Sequence, residues 1–417
     1  MFYYLLKAAN LVLTSVWSFT LIFVLVRVLP IADYANVAIV TGLGGYVLAV
    51  NLGFSTVVYS TLRKNYLTQG PQEEASISLA TLVLYGSVAV LAATIFWGCV
   101  YLIPIGSGPM RGALVIHFAA LACALPWMIV RVSTAAVDRY IAFESLEMVR
   151  RALALALVIA MLFGVTFKWY AILSLALWAI AFLATLPIMT RIWTGTTLRV
   201  GFRHLRREIV AVKSTGTFSL LETIIYNFPY LFVPILYKSS TAIVSFDTFY
   251  KIVRFGASAY LASAEATLPA QTRAHHEQDG GRLLRLTTYA ILLAAIPMAL
   301  GVISVTIFGD ITFGNLLKKA GLISTSTRIS MALMLIAMLF QTISGNLLIN
   351  TGNAAALARI SWSIAGALGL FSIVVAAIHS PFSTFIIGYS TIYCFGAAGY
   401  TLLLLAKIQA LPARTPN

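Results

Sequence analysis

Charge is what this chain has least of. Asp, Glu, Lys and Arg make up 10% of its 417 residues, against 60% hydrophobic residues. A soluble domain carries about a quarter charged residues and about half apolar ones, so a water-soluble globule is excluded and most of the chain is solvated by lipid. Cysteine is almost as scarce. Cys99, Cys123 and Cys394 all fall inside apolar runs, which excludes a disulfide framework and offers no metal-ligand spacing. A glycine-rich nucleotide loop, a zinc pattern, a nucleophile constellation and a long polar stretch able to fold as a catalytic domain are also missing. Those absences speak against an enzyme, against a bound cofactor or metal, and against ATP hydrolysis by this chain.

What is present is one apolar run after another. A membrane helix needs roughly 20 apolar residues, and the pattern predicts twelve: 5–29, 36–61, 76–101, 112–136, 150–168, 170–192, 215–237, 242–270, 286–308, 327–350, 359–379 and 383–406. The fold class is therefore all-α and polytopic. The first segment, MFYYLLKAANLVLTSVWSFTLIFVLV, is too long for a signal-peptide core and lacks a convincing cleavage site, so it reads as a retained helix. Phe167–Trp169 and His379–Phe382 read as tight helical joints.

Cations orient the chain. With both termini cytoplasmic, 19 of the 28 Lys and Arg fall on the cytoplasmic side and six on the other, as the positive-inside rule requires. The expected location is a bacterial inner membrane. The net charge of +15 then reflects topology and implies no nucleic-acid partner.

The span pattern repeats with an offset of 210. Arg63 stands seven residues before Gly70, and Arg273 seven before Gly280, each pair 210 positions apart. Six spans per repeat make the halves parallel, related by an axis along the membrane normal. The expected domains are a six-helix lobe at 1–192, a basic linker at 193–213 and a second six-helix lobe at 214–417. The stretch RIWTGTTLRVGFRHLRREIVAVK (191–213) holds six Lys and Arg and one acid, Glu208, with Leu205, Ile209 and Val212 on one stripe. It reads either as an interfacial amphipathic helix attracted to anionic lipid or as a simple positive-inside anchor.

Span eight is chemically unusual. Asp247, Lys251, Arg254, Ser258 and Glu265 fall at about 0, 40, −20, 20 and 0 degrees on a helix wheel of ~100° per residue. A charge facing lipid at mid-depth costs at least ~2.5–3.5 kcal/mol, so this face is expected to meet a wet interior. Asp247 and Lys251 are spaced to pair, leaving Arg254 as surplus charge. Glu222 in span seven and Glu265 reach similar depths, and a poorly solvated carboxylate holds a proton near neutral pH. They are candidates for coupling to H+ or Na+, unless each simply pairs with a basic neighbour. Arg27 snorkels to the outer interface or lines a cavity mouth. Arg131 anchors at the inner interface or lines the cavity. Asn346 and Asn350 line it or bond between helices, and His117 reads as a packing residue. Span two, the counterpart of span eight, has no charge between Asp33 and Arg63, so the second lobe is the expected seat of charge recognition.

The segment RVLPIADYANVAIVTGLGGYVLAVNLGFSTVVYSTLR, with Arg27, Pro30, Asp33, Tyr34, Leu52 and Gly53, resembles the start of Wzx-type polysaccharide-repeat flippases of the multidrug/oligosaccharidyl-lipid/polysaccharide (MOP) exporter superfamily. Ala35 replaces the usual Gly of that motif. Span eight, with Leu268–Pro269 and the basic loop after it, is similar to the family's second-lobe counterpart. The resemblance implies two six-helix lobes in a V around a central cavity. It also implies alternating-access transfer of an undecaprenyl-diphosphate-linked oligosaccharide, driven by an ion gradient. Lys251, Arg254, Arg131 and Arg27 would then meet the diphosphate, Glu222, Asp247 and Glu265 would serve coupling, and membrane lipids, a polysaccharide polymerase and chain-length proteins would be partners. Two alternatives stand beside it: a cation-coupled small-molecule or multidrug antiporter of the same superfamily, and a membrane polymerase or ligase, for which the chain lacks a large outer loop.

Overall fold

The computed structural model describes residues 2–68, 75–102, 106, 108–318 and 321–411; the side chains of residues 2–5, 7, 8, 11, 15 and 209–212 are outside that description. Gly70, Lys319 and Arg414, and the side chains of Lys7, Ile209 and Val212, therefore lie outside the described residues. Among these, the chain is helical, with no strand. The helices are α1 (Phe2–Val28), α2 (Ile31–Ala49), α3 (Phe54–Thr68), α4 (Ser76–Leu102), α5 (Pro109–Ala122), α6 (Ala124–Ala136), α7 (Tyr140–Ala160), α8 (Phe167–Trp193), α9 (Leu198–Tyr237), α10 (Ser240–His276), α11 (Gly280–Thr306), α12 (Gly309–Leu317), α13 (Thr325–Asn350), α14 (Ala354–Ala377) and α15 (Phe382–Gln409).

Every expected span falls on one helix or on two separated by a short break. Nine helical stretches among the described residues are long and apolar enough to cross a membrane. α7 and α10 are not among them, and α1 contributes the shorter apolar stretch Val12–Val28.

Several boundaries differ from the sequence reading. Span two is broken, because Leu52 and Gly53 turn left-handed (φ 46° and 83°) between α2 and α3. In lipid such a break leaves backbone groups needing partners. Tyr85 of α4 supplies one, donating to the Asn51 carbonyl at 2.6 Å and to its Oδ1 at 2.9 Å. Span five begins ten residues early, at Tyr140, because the charges at its start neutralise one another. Its end is a 3₁₀ turn, Met161–Phe163, with Gly164 left-handed (φ 98°), so the joint precedes Phe167. The linker is not a separate helix: residues from Leu198 run without interruption into span seven as α9. Finally, the stretch 309–326 carries the short helix α12.

The chain divides into two compact units, Met1–Thr223 and Ile224–Asn417, with the boundary inside α9. In the first, α5 packs on α8, α3 on α6, α4 on α5 and α6, and α7 on α8. In the second, α13 packs on α15, α10 on α13, α11 on α13, and α14 on α15. These are the same pairings at the 210-residue offset. Without water to expel, membrane helices associate through close backbone approach at small residues. Gly256 of α10 follows this rule, since a Cβ there would stand 2.6 Å from Leu335 of α13.

Candidate functional site

The second unit builds its polar centre from α9, α10, α13 and α15. Pro229 in α9 has no N–H, so it cannot bond the carbonyl of Ile225 one turn back. The Tyr389 hydroxyl of α15 donates to that carbonyl at 3.3 Å, pinning α15 to α9. One turn further, the Tyr230 hydroxyl donates to Asp247 Oδ1 at 2.7 Å, and Lys251 Nζ donates to Asp247 Oδ2 at 2.7 Å. Asp247 is completely buried, and the Lys251 side chain nearly so. Both carboxylate oxygens are occupied by donors, which is the condition under which a buried ion pair is tolerated. The expected i, i+4 pair is thus formed, and it is internally neutral.

Arg254, two turns further along α10, differs. It is exposed, and among the described residues no carboxylate pairs with it. Its guanidinium lies 5.7 Å from the ring centre of Tyr226 and 5.9 Å from that of Tyr250, within the range of a cation–π contact. The tyrosine hydroxyls are engaged elsewhere. Tyr250 donates to Asn227 Oδ1 at 3.1 Å, Tyr226 and Tyr393 share a hydrogen bond, and Tyr393 donates to Met338 Sδ at 2.8 Å. Rigid rings therefore surround a cation whose N–H groups are not spent on an acid.

The other expected residues are dispersed. Glu265 is exposed on α10 in the second unit, while Glu222 is half-buried in α9 at the end of the first, and each interacts with a neighbouring group. Arg27 donates from Nη1 to the Phe23 carbonyl at 2.8 Å and lies 3.4 Å over the Phe23 ring, so it is folded back on its own helix. Arg131 is exposed on α6. Asn350 donates to the Asn346 carbonyl at 2.7 Å, a bond within α13. His117 is buried against Phe167 and Tyr170, with Nε2 3.4 Å from Thr41 Oγ1. No group of three or more His, Cys, Asp and Glu is placed to hold a metal among the described residues.

The first unit holds a buried charged cluster that sequence reading passed over. Glu147 accepts from Arg150 Nε at 2.8 Å, Arg151 Nε at 2.6 Å and Trp127 Nε1 at 3.1 Å. Arg150 also lies 3.9 Å from the Trp178 ring. Glu144, also buried, accepts from Asn10 Nδ2 at 2.6 Å. The signal was the spacing Glu147, Arg150, Arg151, which only makes sense if the helix starts before 150.

No family model matches the chain, and no curated protein matches it. Solved structures do. An inward-facing multidrug-resistance MATE family transporter of the MOP superfamily aligns at 15% identity with a TM-score of 0.68, covering 95% of each chain. A MOP superfamily transporter from Pyrococcus furiosus, described as having a binding pocket of reverse polarity, aligns at 12% identity and TM-score 0.66 over 98% of this chain and 96% of its own. The eukaryotic MATE transporter AtDTX14 aligns at 12% identity and TM-score 0.65 over the same shares. At such identities the likeness shows the fold: an all-α, MATE-like transporter architecture. It gives no support to the Wzx flippase subtype suggested by the first two spans.

Proposed function

We propose that this chain is a membrane transporter working by alternating access. Its substrate is an amphipathic organic molecule with an anionic group. The observation that carries this reading is Arg254, exposed, without a carboxylate partner among the described residues, and walled by Tyr226 and Tyr250. A guanidinium with unspent N–H groups binds carboxylate or phosphate in a fork, and the tyrosine faces supply stacking area for an apolar or sugar moiety. The similar structures are of transporters, two of them MATE proteins, so they favour a small-molecule antiporter over the lipid-linked oligosaccharide flippase. The flippase reading keeps one specific support: a diphosphate is also a ligand suited to Arg254. Because Asp247 is committed to Lys251 and Tyr230, Glu222 and Glu265 are the coupling candidates for H+ or Na+.

The test is uptake of labelled organic anions and cations into proteoliposomes holding wild type, Arg254→Gln or Arg254→Lys. Arg254→Gln is expected to lower anion transport at least about tenfold, the worth of one charge-assisted bond, with Arg254→Lys intermediate. Transport of cations alone, indifferent to Arg254, would reverse the substrate assignment. For the flippase reading, a deletion strain is examined for lipid-linked oligosaccharide, whose failure to accumulate removes it.

A further inference from the structure

The first three turns of α9 present a basic face that the transport reading does not use. Arg199, Arg203, Arg206 and Arg207 are all exposed. At ~100° per residue they lie at about 0, 40, −20 and 80 degrees, on one side of the helix. Gly201 and Leu205, at about 200 and 240 degrees, are buried on the opposite side. That side is pressed against α4 and the α2–α3 break of the same unit. A Cβ at Gly201 would stand 2.2 Å from the Ser76 carbonyl oxygen and 2.7 Å from Ala80 Cβ, and one at Gly216 would stand 2.8 Å from the Leu52 oxygen. The glycine seam fixes the rotation of α9, so the arginines cannot turn inward.

None of the four arginines takes part in an ion pair among the described residues. Glu208, the one acid in the segment, lies at about 180 degrees, away from them. The level of the face is also set. Gly201 touches Ser76, the first residue of α4, so the arginines sit where α4 begins its crossing. Leu198 and Phe202 are exposed beside them, apolar side chains suited to the acyl boundary.

We propose that this face of α9 binds anionic phospholipid headgroups. The arginine forks take the phosphates, and Leu198 and Phe202 enter the lipid beneath. A free phosphate would engage the forks but gain nothing from the apolar flank.

The test uses full-length protein reconstituted in phosphatidylcholine bilayers with spin-labelled phosphatidylglycerol or spin-labelled phosphatidylcholine as the probe. Wild type is expected to hold phosphatidylglycerol at least about threefold more strongly, given roughly 1 kcal/mol per basic residue at an anionic surface. R199Q/R203Q/R206Q/R207Q loses that preference, and the corresponding quadruple Lys variant keeps most of it. Wild type without a preference overturns the proposal whatever the variants do. So does an unchanged preference in the Gln variant, or displacement of the labelled lipid by inorganic phosphate at constant ionic strength.

Discussion

Two basic residues one turn apart on α10 have opposite fates, and substitution separates them. Lys251 neutralises a carboxylate with no access to water, so Lys251→Met strands the Asp247 charge. Breaking a buried pair costs about 3–5 kcal/mol, and the variant should melt well below wild type in detergent. Asp247→Asn with Lys251→Met removes both charges and should recover most of the loss; a double variant as unstable as the single one contradicts the pairing argument. Arg254→Gln carries no such penalty and should melt like wild type while losing anion transport. Periodicity alone placed Asp247, Lys251 and Arg254 on one face. It did not reveal that Tyr230, seventeen residues away on α9, shares Asp247, because that contact depends on how two helices pack.

Outside the membrane, Asp310 of α12 is held below the usual carboxylate range by its hydrogen bond to Arg328, with a further contribution from the guanidinium charge. A depressed native pKa means that this contact stabilises above about pH 4, the unfolded value, and is lost as pH falls through the folded one. Asp310 is exposed, so the effect is small. The difference in melting temperature between wild type and Asp310→Asn should shrink as pH drops from 6 toward 3; a difference that stays constant with pH would assign it to something other than this charge.

At the scale of elements, α9 is positioned by absence of side chains. Gly201→Leu places atoms where the Ser76 carbonyl already stands, and α4 and α9 must separate. Gly86→Ala, also on a membrane helix, meets nothing within 4 Å. The first should lower the melting temperature by several degrees, the second hardly at all, and equal effects would show that the close approach is not what α9 needs. Helix existence was legible from apolar runs because lipid demands them. The breaks were less so. Leu52–Gly53 carries a turn signal in its glycine, but nothing in a hydropathy pattern says that Tyr85 will satisfy the Asn51 carbonyl. Hydropathy makes α7 too short, because charged residues look like loop unless Glu147 neutralises Arg150 and Arg151. Hydropathy divides α9 into linker and span, because basic residues mark a boundary of lipid, not of helix.

For the whole molecule, both units bury charge, so buried charge by itself does not mark the second as the seat of charge recognition. In the first unit the arginines of that buried cluster, Arg150 and Arg151, are committed to Glu147. The second leaves Arg254 exposed. A cationic site at Arg254 requires that residue to lie within the bilayer, which requires α10 to cross it. Its 37 residues span about 55 Å at 1.5 Å each, well over the ~30 Å hydrocarbon core, so its two ends must face opposite compartments if it crosses. The cation count puts Lys238 outside and Gln278 in the cytoplasm, and both are exposed. With Cys99, Cys123 and Cys394 replaced by Ser, Lys238→Cys should react with an impermeant maleimide in intact cells, and Gln278→Cys only after permeabilisation. Labelling of both from one side would take α10 out of the membrane and the cationic site with it; the reverse pattern would keep the site and invert the chain.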